Sequence, residues 1–230
     1  MNSLSLRSRV AKSLLVGMLA TAGALHQANA SVIFSPTSAV VNTGGPGFGS
    51  INDTFNQNGL STSYVSGVTN FDTYISGGPL HTAFFGGFEW FSNRDSNSAR
   101  VTYNFGLVKS FDKLALWNEE ASGVGVLDLS FSLDGINFSP LASGLMPTNH
   151  PATLQPYGAD VFAVAGTAQY VRFDMSLCPQ VPSTFAACAI GEVAFRERVG
   201  DNNVPEPASL ALVAAALIGM VATMRNRKQG

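Results

Sequence analysis

Charge is scarce in this chain: Asp, Glu, Lys and Arg make up 12% of it, against 46% hydrophobic residues. Three of its thirteen bases lie in residues 1–30 and three in 225–228, and residues 31–203 hold seven Lys and Arg against fourteen Asp and Glu. That balance argues against nucleic acid as a partner, because phosphates demand a basic footprint. Histidine is almost missing, with His81 and His150 alone beyond residue 30. Neither belongs to a His-Glu-x-x-His zinc pattern, and no Gly-x-Ser-x-Gly elbow marks a nucleophile. The glycine cluster Gly44-Gly45-Pro46-Gly47-Phe48-Gly49 is followed by no Lys-Ser or Lys-Thr and opens no helical pattern, which excludes a phosphate cradle. What remains abundant is Gly, Ser, Thr and Asn, the composition of an extracellular β-protein with many turns rather than a helical bundle.

The two termini are the most explicit stretches. Residues 1–30 read as a secretory signal peptide: Arg7, Arg9 and Lys12 form a positive region, Leu14 to Leu25 a short apolar one, and Ala28-Asn29-Ala30 a small-x-small cleavage pattern, so the mature chain begins near Ser31. Residues 204–230 hold Val204-Pro205-Glu206-Pro207, a charge-free apolar run from Ala208 to Met224, and Arg225-Asn226-Arg227-Lys228. At ~1.5 Å per residue that run makes a helix of roughly 25 Å, marginal against a ~30 Å hydrocarbon core. The basic end stays cytoplasmic, which leaves the prolines outside in an extended segment open to a processing enzyme. Motif, apolar run and basic end, in this order, resemble the PEP-CTERM sorting signal of Gram-negative bacteria, with Pro205, Glu206 and Pro207 as the sorting motif. The resemblance implies a transmembrane helix over 208–224 that anchors an inner-membrane precursor, cleavage by an exosortase-type peptidase, and delivery to the cell surface or an exopolysaccharide matrix. An ordinary single-pass anchor is the competing reading.

Residues 31–203 suit one domain. From Gly87 onward apolar and polar residues alternate with a period of two: Val101, Tyr103 and Phe105; Leu127, Leu129, Phe131 and Leu133; Val171, Phe173 and Met175 against Arg172 and Asp174; Val193 and Phe195. Such strands bury one face each, so the expected fold is an all-β antiparallel sandwich in which each sheet covers the other. Asp134-Gly135 is a strong hairpin signal. With the strand Phe111 to Asn118, the later Tyr170-Val171-Arg172-Phe173 and the closing Ile190-Gly191-Glu192-Val193-Ala194-Phe195, it resembles the discoidin, galactose-binding-like jelly roll over roughly 99–197. The resemblance implies ligands at loops on one end of the sandwich.

Cys178 and Cys188, the only cysteines, lie in the exported part and are expected to form a disulfide. Asp53 and Asp72 are oxygen donors in turns, weak candidates for a structural calcium, with turn hydrogen bonding as the plainer role. Glu89, Glu119, Glu120 and Glu192 could supply paired carboxylates only if they converge, and Glu119-Glu120 read as a solvated loop. Trp90 is expected in the core. On the strand 111–118, Leu114 and Leu116 share one face and Trp117 the other, so Trp117, with Asn118 and Glu119, is the expected ligand-binding group unless a long loop covers it. The function these readings support is an exported, non-catalytic carbohydrate-binding module that contacts polysaccharide. A structural matrix protein without a specific ligand is the alternative, and a glycan-active enzyme the third.

Overall fold

The computed structural model describes residues 31–84, 86–180 and 185–198. The signal peptide with Ala28 and Ala30, the sorting motif Pro205-Glu206-Pro207 and the apolar run 208–224 lie outside the described residues. Among the described residues no helix is long and apolar enough to cross a membrane.

The chain runs β1 (Ile33–Phe34), β2 (Ser38–Thr43), a 3-10 turn (Ile51–Thr54), α1 (Phe71–Ser76), β3 (Leu80–His81), β4 (Trp90–Phe91), β5 (Ser98–Asn118), β6 (Val126–Ser132), β7 (Ser139–Leu145), β8 (Tyr157–Gly158), β9 (Asp160–Ser176) and β10 (Ala189–Glu197). The ladders between these strands are antiparallel, as the alternation implied. One layer orders β2, the first half of β5, the second half of β9, β6 and β7. The other orders the first half of β9, the second half of β5 and β10, with β1 and β4 both on β10. The strands read as 101–105 and 111–118 are thus one, β5, which passes through both layers. Its ladder with β9 breaks between Asn104 and Lys109, around Gly106 at φ +79°, a conformation that costs glycine nothing.

The sandwich core is the alternation made physical. Val101, Tyr103 and Phe105, then Leu127 and Leu129, then Val171, Phe173 and Met175 join Leu114, Leu116, Val193 and Phe195 in one buried cluster. Phe105 bridges the layers, its ring 4.9 Å from that of Phe195 and 5.1 Å from that of Phe34. Each such side chain contributes roughly 1.5 to 3 kcal/mol by leaving water. Trp90 is fully buried, as expected. Two members of the expected row differ. Phe131 is only partly buried, and Leu133 is exposed because β6 ends at Ser132, whose Oγ accepts from the N–H groups of Asp134 and Gly135 and turns the chain.

Much of the second layer's outer side is covered, with Val161 of β9 left exposed. Ile33, Ala115, Trp117 and Ala194 on its outer side are covered by Tyr64, Phe71, Tyr74 and Ala83, which come from the stretch ahead of the alternation that begins at Gly87, and by Tyr157. Cys178, just after β9, is bonded to Cys188, just before β10, with Cα atoms 4.9 Å apart. The first layer is different: its outer side stays open.

Candidate functional site

The open face is built by register. Arg100 of β5 lies opposite Asp174 of β9, Thr102 opposite Arg172, and Asn104 opposite Tyr170. On the far side of β9 these positions face Asp128, Ser130 and Ser132 of β6, and on the far side of β5 Val40 of β2 faces Thr102. Because side chains alternate across a strand, the residues that put Val101, Val171 and Phe173 into the core put Arg100, Thr102, Tyr170, Arg172 and Asp174 outside. The turn between β6 and β7 then folds over one edge. Gly135 sits so close to Tyr170 that a Cβ there would lie 3.2 Å from the ring, and its φ of +74° also favours glycine.

These elements enclose a groove of ≈ 320 Å³ lined by Val40, Asn42, Arg100, Thr102, Gly135, Phe138, Tyr170 and Arg172. The Arg172 guanidinium lies 4.5 Å from the centre of the Phe138 ring, a cation–π contact. Asp174 joins both arginines: Arg172 Nε donates to its Oδ2 at 3.1 Å and Arg100 Nε to its Oδ1. Thr102 Oγ1 donates to Asn42 Oδ1 at 2.7 Å. Asp134, in the adjoining turn, accepts from the backbone of Ile136 and Asn137 and from the Asn137 amide, and those donors hold its carboxyl well below the usual range. The groove can therefore offer ring surface, an amide, a hydroxyl and two fixed guanidiniums to one ligand.

The residues expected to carry the site lie at the other layer. Trp117 does point away from the sandwich core, but it is fully buried under the chain between α1 and β3 and donates from Nε1 to the Pro79 carbonyl at 3.0 Å. It has no free face on which a sugar could stack. Asn118 is equally buried and joins loops: its Nδ2 donates to Thr148 O at 3.1 Å and to Gln180 Oε1 at 2.8 Å, and its Oδ1 accepts from Val124 N. Glu119 accepts from the N–H groups of Ala121 and Ser122. Neither Glu119 nor Glu120 is solvated; each is 3% exposed.

Glu89, Glu119 and Glu120 do converge. Burial first, and then the Glu89 charge, push Glu119 up to about 8, with Glu120 adding to the effect. Burial and Glu89 also raise Glu120. Tyr157 donates to Glu89 Oε1 at 2.6 Å and stands 3.1 Å from His81 Nδ1. His81 Nδ1 also lies 2.8 Å from the Thr82 carbonyl, to which it donates, and Nε2 meets no hydrogen-bond partner among the described residues. His150 packs against Tyr157 with ring centroids 5.5 Å apart, and burial pushes its imidazole down. Glu192 stands apart: its Oε2 accepts from Gln57 N at 2.9 Å, and burial drives its carboxyl well up.

The calcium candidates do not meet. Asp53 caps the 3-10 turn, accepting from Ser50 N and Asn56 Nδ2, whereas Asp72 is bound by Lys113 at 2.8 Å and Arg196 at 2.8 Å. Among the described residues no group of three or more His, Cys, Asp or Glu is placed to hold a metal ion.

Residues 203–228 match the PEP-CTERM protein-sorting motif. No curated protein matches this chain. In fold it is similar to a chitosan-binding module of a chitosanase/glucanase from Paenibacillus sp. IK-5, at 16% identity over 70% of this chain and 95% of that one, with a TM-score of 0.44. It is also similar to a CBM32 of AlyQ in complex with 4,5-unsaturated mannuronic acid, at 14% identity, 71% and 96% coverage and a TM-score of 0.42. A pectin-binding carbohydrate-binding module gives 14%, 73%, 94% and 0.41. None of the three fixes a ligand for this chain.

Proposed function

We propose that this exported protein is a non-catalytic β-sandwich that holds a segment of polysaccharide in the groove over Tyr170 and Phe138. The precursor is held in the inner membrane by residues 208–224, cut near Pro205-Glu206-Pro207 by an exosortase-type peptidase, and delivered to the surface or exopolysaccharide matrix of a Gram-negative cell. The observation that carries the binding role is the groove: its ≈ 320 Å³ falls within the ~300 to 1,000 Å³ of ligand sites, and ring carbons beside placed polar groups suit the mixed faces of a sugar. The sorting motif supports the destination. Glu89, Glu119 and Glu120 sit at 2–3% exposure, out of a substrate's reach, which disfavours a glycosidase. The open groove with the Arg172 guanidinium over the Phe138 ring favours binding over a purely structural role.

Protein recovered from the medium of producing cells tests both halves. Its intact mass is expected to lack residues 208–224, and its migration is expected to slow in gels containing the cells' own exopolysaccharide. Stacking on a ring contributes roughly 1 to 3 kcal/mol in comparable single-strand nucleic-acid sites, so Tyr170→Ala should weaken retardation at least about fivefold. Unretarded wild-type protein would leave the structural reading in its place, and a retained tail would make the apolar run a plain anchor.

A further inference from the structure

The groove spends its two arginines in an unusual way. Asp174 takes Nε of Arg100 on one oxygen and Nε of Arg172 on the other, so one carboxylate holds two guanidiniums side by side on adjacent strands. Among the described residues no hydrogen-bond acceptor meets the terminal nitrogens of either arginine. Arg172 is braced again by the Phe138 ring at 4.5 Å, and Arg100 keeps 44% of its side chain exposed. The two guanidiniums share the single carboxylate of Asp174, while Asp128, opposite it on β6, accepts from the Gly144 N–H, and this on a domain whose bases number half its acids. A ligand that wanted only neutral hydrogen bonds would be served by Asn42 and Thr102; paired terminal N–H forks serve a planar anion.

We infer that the groove selects acidic polysaccharide: a hexuronate whose ring carboxylate is received by the terminal nitrogens of Arg100 and Arg172 while its sugar ring lies toward Tyr170. This rests on the polysaccharide-binding reading above and names its substrate class. Asp174 serves as the positioning residue, fixing both forks before the ligand arrives, so little side-chain freedom remains to be lost on binding. The acidic remainder of the domain repels a polyanion elsewhere and so confines binding to this spot.

The test compares polygalacturonate with its fully methyl-esterified form, which keeps the backbone and removes the charge. Mature protein, residues 31–203, is run in affinity gels with each polymer, with hydroxyethyl cellulose and with dextran sulfate, at low and at 0.3 M salt. The inference expects retardation by polygalacturonate that falls at least tenfold on esterification and weakens with salt. Arg172→Gln should lose at least tenfold toward the acid and several-fold less toward the ester, with an unaltered far-ultraviolet spectrum as the check on folding. Equal retention by acid and ester, or retention by hydroxyethyl cellulose alone, overturns the acidic preference and leaves polysaccharide binding standing. Retention by dextran sulfate but not polygalacturonate overturns the carboxylate assignment. No retention by any polymer overturns the inference together with the reading beneath it.

Discussion

Glu119 shows how far a single residue can depart from its local sequence. Two adjacent glutamates after a strand read as solvated, yet the loop ends of this sandwich close over them, and burial with the Glu89 charge lifts Glu119 to about 8 from an ordinary 4.5. An acid raised in the folded state binds its proton more tightly there than in the unfolded chain. Its stabilisation is therefore full below pH 4.5 and is lost as pH rises through 8. Glu119→Gln keeps an oxygen for the Ala121 and Ser122 N–H groups and removes the charge. Chemical denaturation should accordingly show the variant gaining on wild type across pH 5 to 8, by up to about 1.4 kcal/mol per unit. Parallel curves would mean that Glu119 is ionised without cost. The signal for this burial was absent locally, because its cover arrives from Glu89 and Tyr157, far away in the chain.

At the scale of elements, much was legible. Period-two alternation placed Val101, Leu127, Leu129, Val171, Phe173, Val193 and Phe195 in the core, and parity put Trp117 on the opposite side of β5 from Leu114 and Leu116. The same alternation marked Thr102, Arg172 and Asp174 as wet-face residues. Missing was register: only the pairing of Arg100 with Asp174 and of Thr102 with Arg172 turns separate polar residues into one groove. Missing too was the cover on Trp117, since the segment bearing Tyr64, Phe71, Tyr74 and Ala83 has no repeat to read. Its packing makes Trp117 a structural residue. Removing a buried Trp side chain costs about 3 to 5 kcal/mol, so Trp117→Ala should lower the melting temperature by roughly 10 °C without changing retention by polysaccharide. Unchanged melting with lost retention would return the site to Trp117.

The molecule as a whole divides its labour between faces. One layer is sealed by the core on one side and covered over much of the other by the 60–83 segment, with the disulfide tying β9 to β10. The other is sealed on one side only and presents the arginine-bearing groove. The C-terminal sorting motif, legible as sequence because targeting signals are linear, marks this scaffold for export. On the proposed function the ligand lies across the strands of the open layer rather than at the loop end. The direct measurement is a nuclear magnetic resonance titration of isotope-labelled residues 31–203 with polygalacturonate oligomers. The account predicts that the largest amide shifts fall on Arg100, Thr102, Tyr170 and Arg172 and on the Gly135 turn, with 117–122 still. Shifts confined to 117–122 and the 148–157 loop would contradict it.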